Sequence, residues 1–183
     1  LKSKIMIIDT QTRTDLDVGL TDSIDRAKAE DCSILFSYTF QFEARDLLPL
    51  LSHPADKNAC RIYWEQPKEG FALAGLGKIL EINDNNNESL DSLNEKINNY
   101  FKQAIHVTNY PFVGPRFLGG HSFNPKADSD NTWGSFPRAC YILPECLATL
   151  NPDGCWLTIS KMVTKNDNPN SLLREFSRNC THY

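Results

Sequence analysis

Residues 33–43 carry the pattern that most restricts how this chain can fold. Large apolar side chains occupy every second position from Ile34 to Phe42, and the positions between them are polar except for Leu35. A period of two is the repeat of a β-strand, whose successive side chains point to opposite sides of a sheet. We therefore predict a strand with one buried face. Bulky side chains of this kind are typical of a sheet packed against helices.

A second pair of strands is predicted at residues 61–65 and 71–82, joined by a turn at 66–70. Gly75 and Gly77 interrupt the second of these strands. A Gly-x-Gly pair can signal a nucleotide-binding loop, but no third glycine follows at the fingerprint spacing and no helix pattern begins after it. We interpret the two glycines as a bulge or a close crossing of strands.

The strongest helical pattern covers residues 89–105. Its apolar side chains recur at the spacing of one helical stripe: Leu90, Leu93, Ile97, Tyr100, Phe101, Ala104 and Ile105. His106, directly after the stripe, is interpreted as a cap at the C-terminus of this helix. Weaker patterns predict a helix at residues 23–30 and a short helix around 172–176, whose packing partner we expect to lie outside the chain.

Residues 110–144 are rich in glycine, proline and aromatic side chains. Gly119 and Gly120 stand between two strand-like pieces, a position that suits a bulge or a tight crossing. We interpret this glycine pair as scaffold, clamped by neighbouring aromatic side chains. The residues assigned a structural role are Gly75, Gly77, Gly119, Gly120, Phe123, Trp133, Phe136, Pro137 and Pro144.

Two further strands are predicted at residues 139–143 and 154–163, with a turn at 151–154 between them. The pattern as a whole gives about six or seven strands and two or three helices, with hairpin-length connections. This favours an α+β fold with a mostly antiparallel sheet packed by helices. We expect residues 1–183 to form a single domain.

Composition excludes several classes of partner. The formal net charge is -4, whereas nucleic acids and anionic membrane surfaces select a basic face. No apolar run approaches the roughly 20 residues of a membrane-spanning helix, and the chain is expected to be cytoplasmic. The six cysteines have no Cys-x-x-Cys spacing, so we predict mostly small buried thiols rather than a zinc site or a disulfide framework.

The sequence contains no motif that performs a reaction by itself. It has no Gly-x-Ser-x-Gly elbow, no His-Glu-x-x-His and no phosphate-binding loop. His121, beside the glycine pair, is the most suitable general base by position, but a strand histidine is usually structural. We therefore assign no catalytic, cofactor-binding or metal-binding residue.

The order of several motifs resembles the N-terminal part of isochorismate synthases, within the superfamily of chorismate-utilising enzymes. The motifs span residues 33–163. They are Ser37-Tyr-Thr-Phe-Gln-Phe, Arg61-Ile-Tyr-Trp-Glu, Phe71-Ala-Leu-Ala-Gly-Leu-Gly, Phe117-Leu-Gly-Gly-His-Ser-Phe-Asn, Trp133-Gly-Ser-Phe-Pro-Arg and Tyr141-Ile-Leu-Pro. Such enzymes form one α/β sandwich from two halves, so the resemblance implies that this chain is the N-terminal half. The catalytic C-terminal half would then be absent.

The resemblance implies conversion of chorismate to isochorismate with Mg²⁺, for menaquinone, phylloquinone, salicylate or siderophore synthesis. In the family, a lysine base, a glutamate acid and metal-binding glutamates belong to the C-terminal half. None of them maps onto this chain, and Lys161 comes too early in the sequence to be that lysine. The implied partners are chorismate, through the missing half, and that half itself. We expect the isolated chain to be inactive, to bind no Mg²⁺ and to self-associate through an uncovered apolar face.

Two alternatives remain open. One is anthranilate or aminodeoxychorismate synthase, although the Leu-Leu-Glu-Ser motif usual in those enzymes does not occur here. The other is a non-catalytic binding or regulatory module that has kept the same scaffold. If the chain comes from a plant or alga, the plastid stroma would replace the cytoplasm as its location.

Overall fold

The computed structural model of this chain describes residues 10–52, 60–84, 89–108, 110–122 and 137–182. Its helices and strands are α1 (Thr10–Glu30), β1 (Ile34–Gln41), α2 (Leu48–Leu51), β2 (Arg61–Gln66), β3 (Phe71–Leu76), β4 (Leu80–Asn83), α3 (Leu90–Gln103), β5 (Ile105–Val107), β6 (Leu118–His121), β7 (Ala139–Leu143), β8 (Cys146–Asn151), β9 (Gly154–Val163) and α4 (Pro169–His182). The aromatic residues Phe123, Trp133 and Phe136 lie outside the described residues.

The described strands form two sheets. A large sheet has six strands in the order β2-β3-β8-β9-β1-β5, and a small sheet has three in the order β4-β7-β6. Every pairing is antiparallel except that of β1 with β5. The predicted α+β class with mostly antiparallel sheets is confirmed, with more strands than expected.

Two of the strand predictions are wrong in detail. The single strand predicted at 71–82 is divided between the sheets, since β3 belongs to the large sheet and β4 to the small one. The predicted strand is interrupted at Gly77, whose φ of 69° is a left-handed conformation that glycine adopts without strain. Strand β8 was missed, since only a turn at 151–154 was predicted between the strands at 139–143 and 154–163.

One face of the large sheet is apolar and covered by helices. Side chains of β1, β3, β8 and β9 pack on this face against α1, α2 and α4. Phe36 of β1 is fully buried and meets Phe176 of α4 edge to face, with ring centroids 5.1 Å apart. Helix α4 therefore has its packing partners, α1 and β9, within this chain, and the prediction that its partner lies elsewhere is wrong.

Helix α1 is much longer than the predicted segment 23–30. It runs for 21 residues from Thr10, and its buried positions fall about one turn apart. They are Leu16, Leu20, Ile24 and Ala27, each at most 2% exposed. The first half of this helix is otherwise mostly polar, with Val18 55% exposed, so burial against the sheet stabilises it more than a strong intrinsic pattern does.

Helix α3 confirms the strongest helical prediction. The hydroxyl of Ser89, its N-cap, accepts a hydrogen bond from the Ser92 N–H at 3.2 Å. Leu93 is buried, and Tyr100 and Phe101 near the other end contact the ring of Phe117. The helix thereby fixes the segment that leads into β6.

Candidate functional site on the polar face of the large sheet

The second face of the large sheet, which we call the polar face, carries hydroxyl side chains on β1 and β9, yet it too is buried there. Ser37 and Thr39 of β1 are 0% and 2% exposed, between apolar residues that face the helices. The prediction that β1 buries a single face is therefore wrong. The predicted alternation is correct, but Ser37 and Thr39 are covered by other parts of the chain, whereas Gln41 and Glu43 are exposed.

Hydroxyl pairs across β1 and β9 explain how this face can be buried. The register places Ser37 opposite Ser160 and Thr39 opposite Thr158. Their side-chain oxygens lie 3.0 Å and 2.8 Å apart, respectively. Each buried hydroxyl thus has a hydrogen-bond partner, which removes most of the cost of taking it out of water.

His106 joins this row of hydroxyls from the neighbouring strand. It lies in β5 rather than at the end of α3, whose C-cap is Ala104, so the cap interpretation is wrong. Its Nε2 lies 2.9 Å from Thr39 Oγ1. Burial lowers the pKa of His106, so the neutral ring is favoured, and neutral imidazole can donate or accept in this bond.

Gly114 presses against the ring of His106. A Cβ placed on this glycine would lie 2.4 Å from His106 Cε1, and the glycine φ is 150°. Any larger residue would clash with the imidazole and strain the backbone. The turn at 110–116 therefore holds His106 in place over the hydroxyl row.

Towards β8, two polar atoms of the polar face have no hydrogen-bond partner among the described residues. They are Thr149 Oγ1 and Trp156 Nε1, which belong to residues directly opposite each other on β8 and β9. Thr149 is 1% exposed and Trp156 is 7% exposed. The Trp156 ring also contacts Tyr110, with centroids 5.9 Å apart. This end of the polar face is therefore packed by aromatic rings rather than by hydroxyl pairs.

Exposed aromatic side chains continue from this end of the sheet. Trp64 of β2 meets Phe71 of β3 edge to face at 5.7 Å, and Arg116 Cζ lies 6.0 Å from the Phe71 ring centroid. Arg116 Nη2 donates a hydrogen bond of 2.6 Å to the carbonyl oxygen of Phe112. We call Trp64, Phe71, Phe112 and Arg116 the aromatic patch.

The glycines and prolines that were assigned a structural role lie at separate places in the fold. Gly75 and Gly77 lie against the β7–β8 connection, since a Cβ on Gly75 would be 2.8 Å from Pro144 Cγ and one on Gly77 would be 2.9 Å from Glu145 Cβ. Gly75 pairs in unbroken register with Ile62 and Leu147, so it forms no bulge.

The glycine pair lies inside a regular strand as well. Gly119 and Gly120 of β6 stand opposite Tyr141 and Cys140 of β7. A Cβ on Gly119 would lie 1.9 Å from the Cys140 carbonyl oxygen, whereas one on Gly120 would meet nothing within 4 Å. Close approach of the two strands therefore requires glycine at the first position and not at the second. Pro137, the first residue of its described segment, is exposed.

The two residues considered earlier as bases lie apart from His106 in the fold. His121 is exposed on β6 of the small sheet, with Nδ1 3.1 Å from the carbonyl oxygen of Ser122. Lys161 forms an ion pair with Glu175 of α4, at 2.5 Å and 2.6 Å from its two carboxylate oxygens. Neither side chain reaches the polar face.

A groove of about 530 Å³ separates β4 from α3 and is lined by Glu81, Ile82, Asn83, Lys96 and Tyr100. Glu81 accepts hydrogen bonds from Lys78 and Asn83, and these bonds lower the pKa of its carboxyl. The groove is shallow and its acidic group is already engaged, so it gives no indication of a reaction.

Five cysteines, Cys32, Cys60, Cys140, Cys146 and Cys155, are free thiols. Cys146 and Cys155 are buried, Cys60 and Cys140 are partly buried, and Cys32 is exposed. Burial raises the pKa of the Cys155 thiol to about 12, so it remains protonated and inert at neutral pH. The prediction of mostly buried thiols holds fully for two of these cysteines.

Within the described segments, neither a metal-binding cluster nor a membrane-spanning helix occurs. No set of three or more His, Cys, Asp or Glu side chains in these segments could hold a metal ion. None of their helices has the length and apolarity needed to cross a bilayer. On the polar face, the hydroxyls and the imidazole are buried and bonded to one another, and aromatic rings pack one end.

The fold is an α+β domain whose large, mostly antiparallel sheet has buried side chains on both faces. A family model for chorismate binding enzymes matches residues 22–183. The chain belongs to this family of chorismate binding enzymes.

Two curated relatives indicate which members of the family this chain resembles. The chain is 26% identical over 159 residues to isochorismate synthase MenF of Bacillus subtilis, an alignment that covers 82% of this chain and 34% of that protein. It is 27% identical over 121 residues to a salicylate biosynthesis isochorismate synthase of Pseudomonas aeruginosa, covering 66% and 24%. The resemblance predicted from the motifs is confirmed. The chain spans about a third of the first relative's length and about a quarter of the second's.

Proposed function

We propose that this chain is the N-terminal scaffold region of an isochorismate synthase, the enzyme that isomerises chorismate to isochorismate. The observation that carries the proposal is the family match over residues 22–183, together with two relatives that are both isochorismate synthases. The alignments cover most of this chain but only a minor part of each relative.

The described side chains support a scaffold rather than a catalytic role. Isomerisation adds water at one ring carbon of chorismate and removes hydroxide from another, which requires a general base and a general acid. His106 is bonded to Thr39 inside a packed face, and Lys161 is paired with Glu175. We therefore place the base and the acid in the region of the relatives that this chain does not span.

The expected Mg²⁺ does not fit the described residues. They bring together no set of three carboxylate, imidazole or thiolate side chains, whereas Mg²⁺ in enzymes is held by carboxylates together with water or substrate oxygens. We assign Mg²⁺ and chorismate binding to the same unspanned region, and derive no step through the metal here. That region is then the physical partner of this chain, and we propose the cytoplasm as its location.

The proposal is tested with a protein of the relatives' length that contains this chain. Incubated with chorismate and Mg²⁺, it should yield isochorismate, identified by chromatography against a standard. The same incubation with ammonia or glutamine should yield no anthranilate or aminodeoxychorismate. Either of those products would replace the proposal by the sister enzymes. Failure to convert chorismate under any of these conditions would favour the non-catalytic module.

Two metabolic uses of isochorismate are compatible with the relatives, quinone synthesis and salicylate synthesis. One relative is named for salicylate biosynthesis, and the other is MenF. No described side chain of this region distinguishes the two, because both begin with the same isomerisation.

A further inference from the structure

The hairpin between β8 and β9 contains a chemically reactive pair of residues. Asp153-Gly154 is the one Asp-Gly pair in the sequence, and no Asn-Gly pair occurs. In an Asp-Gly pair the glycine nitrogen can attack the side-chain carboxyl carbon of the aspartate, because glycine has no Cβ to crowd the approach. Asp153 is exposed in the turn, so its carboxyl is not shielded by packing.

The fold favours glycine at the position that makes this pair reactive. Gly154 has a φ of 153°, a backbone conformation that residues with a Cβ rarely adopt. A Cβ on Gly154 would also lie 3.2 Å from Trp156 Cη2 and 3.3 Å from Gln41 Nε2. A bulkier residue would slow the attack, but the backbone conformation and the packing around Trp156 both oppose it.

The side chain of Asn151 holds the backbone of the reactive pair. Its Oδ1 accepts hydrogen bonds from the Asp153 N–H at 2.8 Å and from the Gly154 N–H at 3.2 Å. The second bond engages the attacking nitrogen, so it opposes loss of the proton and rotation of the peptide plane towards the carboxyl. Asn151 itself cannot react in the same way, because the residue after it is Pro152, which has no N–H.

We propose that Asp153-Gly154 is a site of spontaneous backbone isomerisation, and that the Asn151 side chain slows the reaction. In the first step the Gly154 nitrogen loses its proton and forms a bond to Asp153 Cγ, while a carboxyl C–O bond breaks and water leaves. In the second step water opens the resulting cyclic imide. Attack at the former backbone carbonyl carbon leaves isoaspartate, whose chain continues through Cγ. The reaction consumes no oxidant, reductant or cofactor.

Isoaspartate would alter the end of the hairpin where the polar face carries aromatic rings. It adds one carbon atom to the backbone between Asn151 and Gly154, which are the closing pair of the β8–β9 ladder. Gly154 would then shift relative to Trp156, whose ring it contacts. The longer ladder beyond this pair limits the change to this end of the sheet.

The test incubates the 183-residue chain at mildly acidic pH and measures isoaspartate by mass spectrometry in the tryptic peptide 139–161, whose single aspartate is Asp153. We expect Asn151→Ala to react about fivefold faster than wild type, the rate equivalent of one hydrogen bond. Asn151→Asp keeps an oxygen acceptor and should match wild type. Asp153→Glu should give no signal, because closing the larger ring is much slower.

Two controls separate the hydrogen bonds of Asn151 from general effects. Peptide 14–26 contains Asp22-Ser23 within helix α1, and it should isomerise more slowly than peptide 139–161. In urea, wild type and Asn151→Ala should react equally fast, and both should react faster than folded wild type. Circular dichroism checks that each variant is folded in buffer. If Asn151→Ala is not folded, wild type in buffer and in urea supplies the same comparison.

Three outcomes would overturn the isomerisation proposal. The first is folded Asn151→Ala that reacts at the wild-type rate, or wild type that reacts no faster in urea. The second is an isoaspartate signal that persists in Asp153→Glu. The third is peptide 139–161 without isoaspartate even in urea. These measurements involve no chorismate, so they are independent of the proposed function.

Discussion

The two faces of the large sheet share strands but are stabilised in different ways. Phe36 and its neighbours on one face bury apolar area under three helices, and that burial depends little on geometry. Ser37 and Thr39 on the other face are equally buried, but each relies on one hydroxyl partner on β9. Burial on the apolar face therefore depends little on exact geometry, whereas the hydroxyl pairs of the polar face demand one strand register.

Register follows directly from the hydroxyl pairs. A slip of one residue between β1 and β9 would bring apolar side chains onto the polar face and hydroxyls under the helices. Both results leave buried polar groups without partners, which is costly. The apolar face alone would tolerate many packings of similar energy. The polar face therefore selects one arrangement of this scaffold.

The largest expected effect is on the apolar face. Phe36→Ala removes a fully buried ring that contacts Phe176. We expect a loss of about 3–5 kcal/mol in the free energy of unfolding, from lost burial and the cavity left behind. Urea denaturation followed by circular dichroism measures it. Phe112→Ala in the same chain is the control, and an equal loss there would mean that burial does not distinguish these positions.

The next largest loss of stability is expected from a substitution in the turn that packs over the polar face. Gly114→Ala places a methyl group against the His106 ring at a backbone angle that suits glycine. We expect a loss of roughly 2–3 kcal/mol in the same denaturation experiment, from overpacking and strain. Gly120→Ala is the matched control, because its Cβ would enter open space. Equal stability of the two variants would show that the turn at 110–116 does not hold His106.

The hydroxyl pairs are tested by exchanging threonine for valine, which keeps the shape and removes the oxygen. Thr39→Val leaves His106 and Thr158 without their shared partner, and we expect it to cost about 1–3 kcal/mol. Thr149→Val removes a hydroxyl that has no partner among the described residues. We expect it to be neutral or stabilising, and a loss as large as that of Thr39→Val would contradict the distinction.

The smallest expected effect is on the pH dependence of the free energy of unfolding. Burial lowers the pKa of His106 from its ordinary 6.5, so the folded protein binds this proton less readily than the unfolded chain. The resulting stability is present above pH 6.5 and is lost as the pH falls through that value towards the folded-state pKa. Denaturation at about pH 7.5 and about pH 5.5 brackets the ordinary histidine range.

His106→Gln should reduce the difference in unfolding free energy between those two pH values. Exposed His121 on the small sheet supplies the control, and His121→Gln should keep the wild-type difference. If His106→Gln leaves the pH profile unchanged, the buried imidazole is not responsible for any of the pH dependence.

Local patterns predicted much of the fold. The alternation at 33–43, the hairpin of β2 and β3 and the stripe of α3 depend on neighbouring residues, and each was found. The first half of α1 was missed, because its polar sequence becomes helical only through burial of Leu16 against the sheet. The division at Gly77 was missed since it depends on which sheet each strand joins.

The polar face could not be predicted from the sequence for a similar reason. Ser37 and Ser160 are 123 residues apart, and Thr39 and His106 are 67 apart. Their pairing depends on sheet order, which includes one parallel neighbour. The aromatic patch also joins residues from β2, β3 and the turn at 110–116. The signal that could have indicated it is the density of aromatic and arginine residues at those three places.

We propose that neither face of this sheet carries the chemistry of the family. The most direct test incubates the 183-residue chain with chorismate and Mg²⁺ and measures isochorismate by chromatography, with a protein of the relatives' length as the positive control. We expect isochorismate from the long protein and, from the chain alone, no more than from a buffer blank. Turnover by the chain above that blank would contradict it, because the base and the acid would then lie within this region.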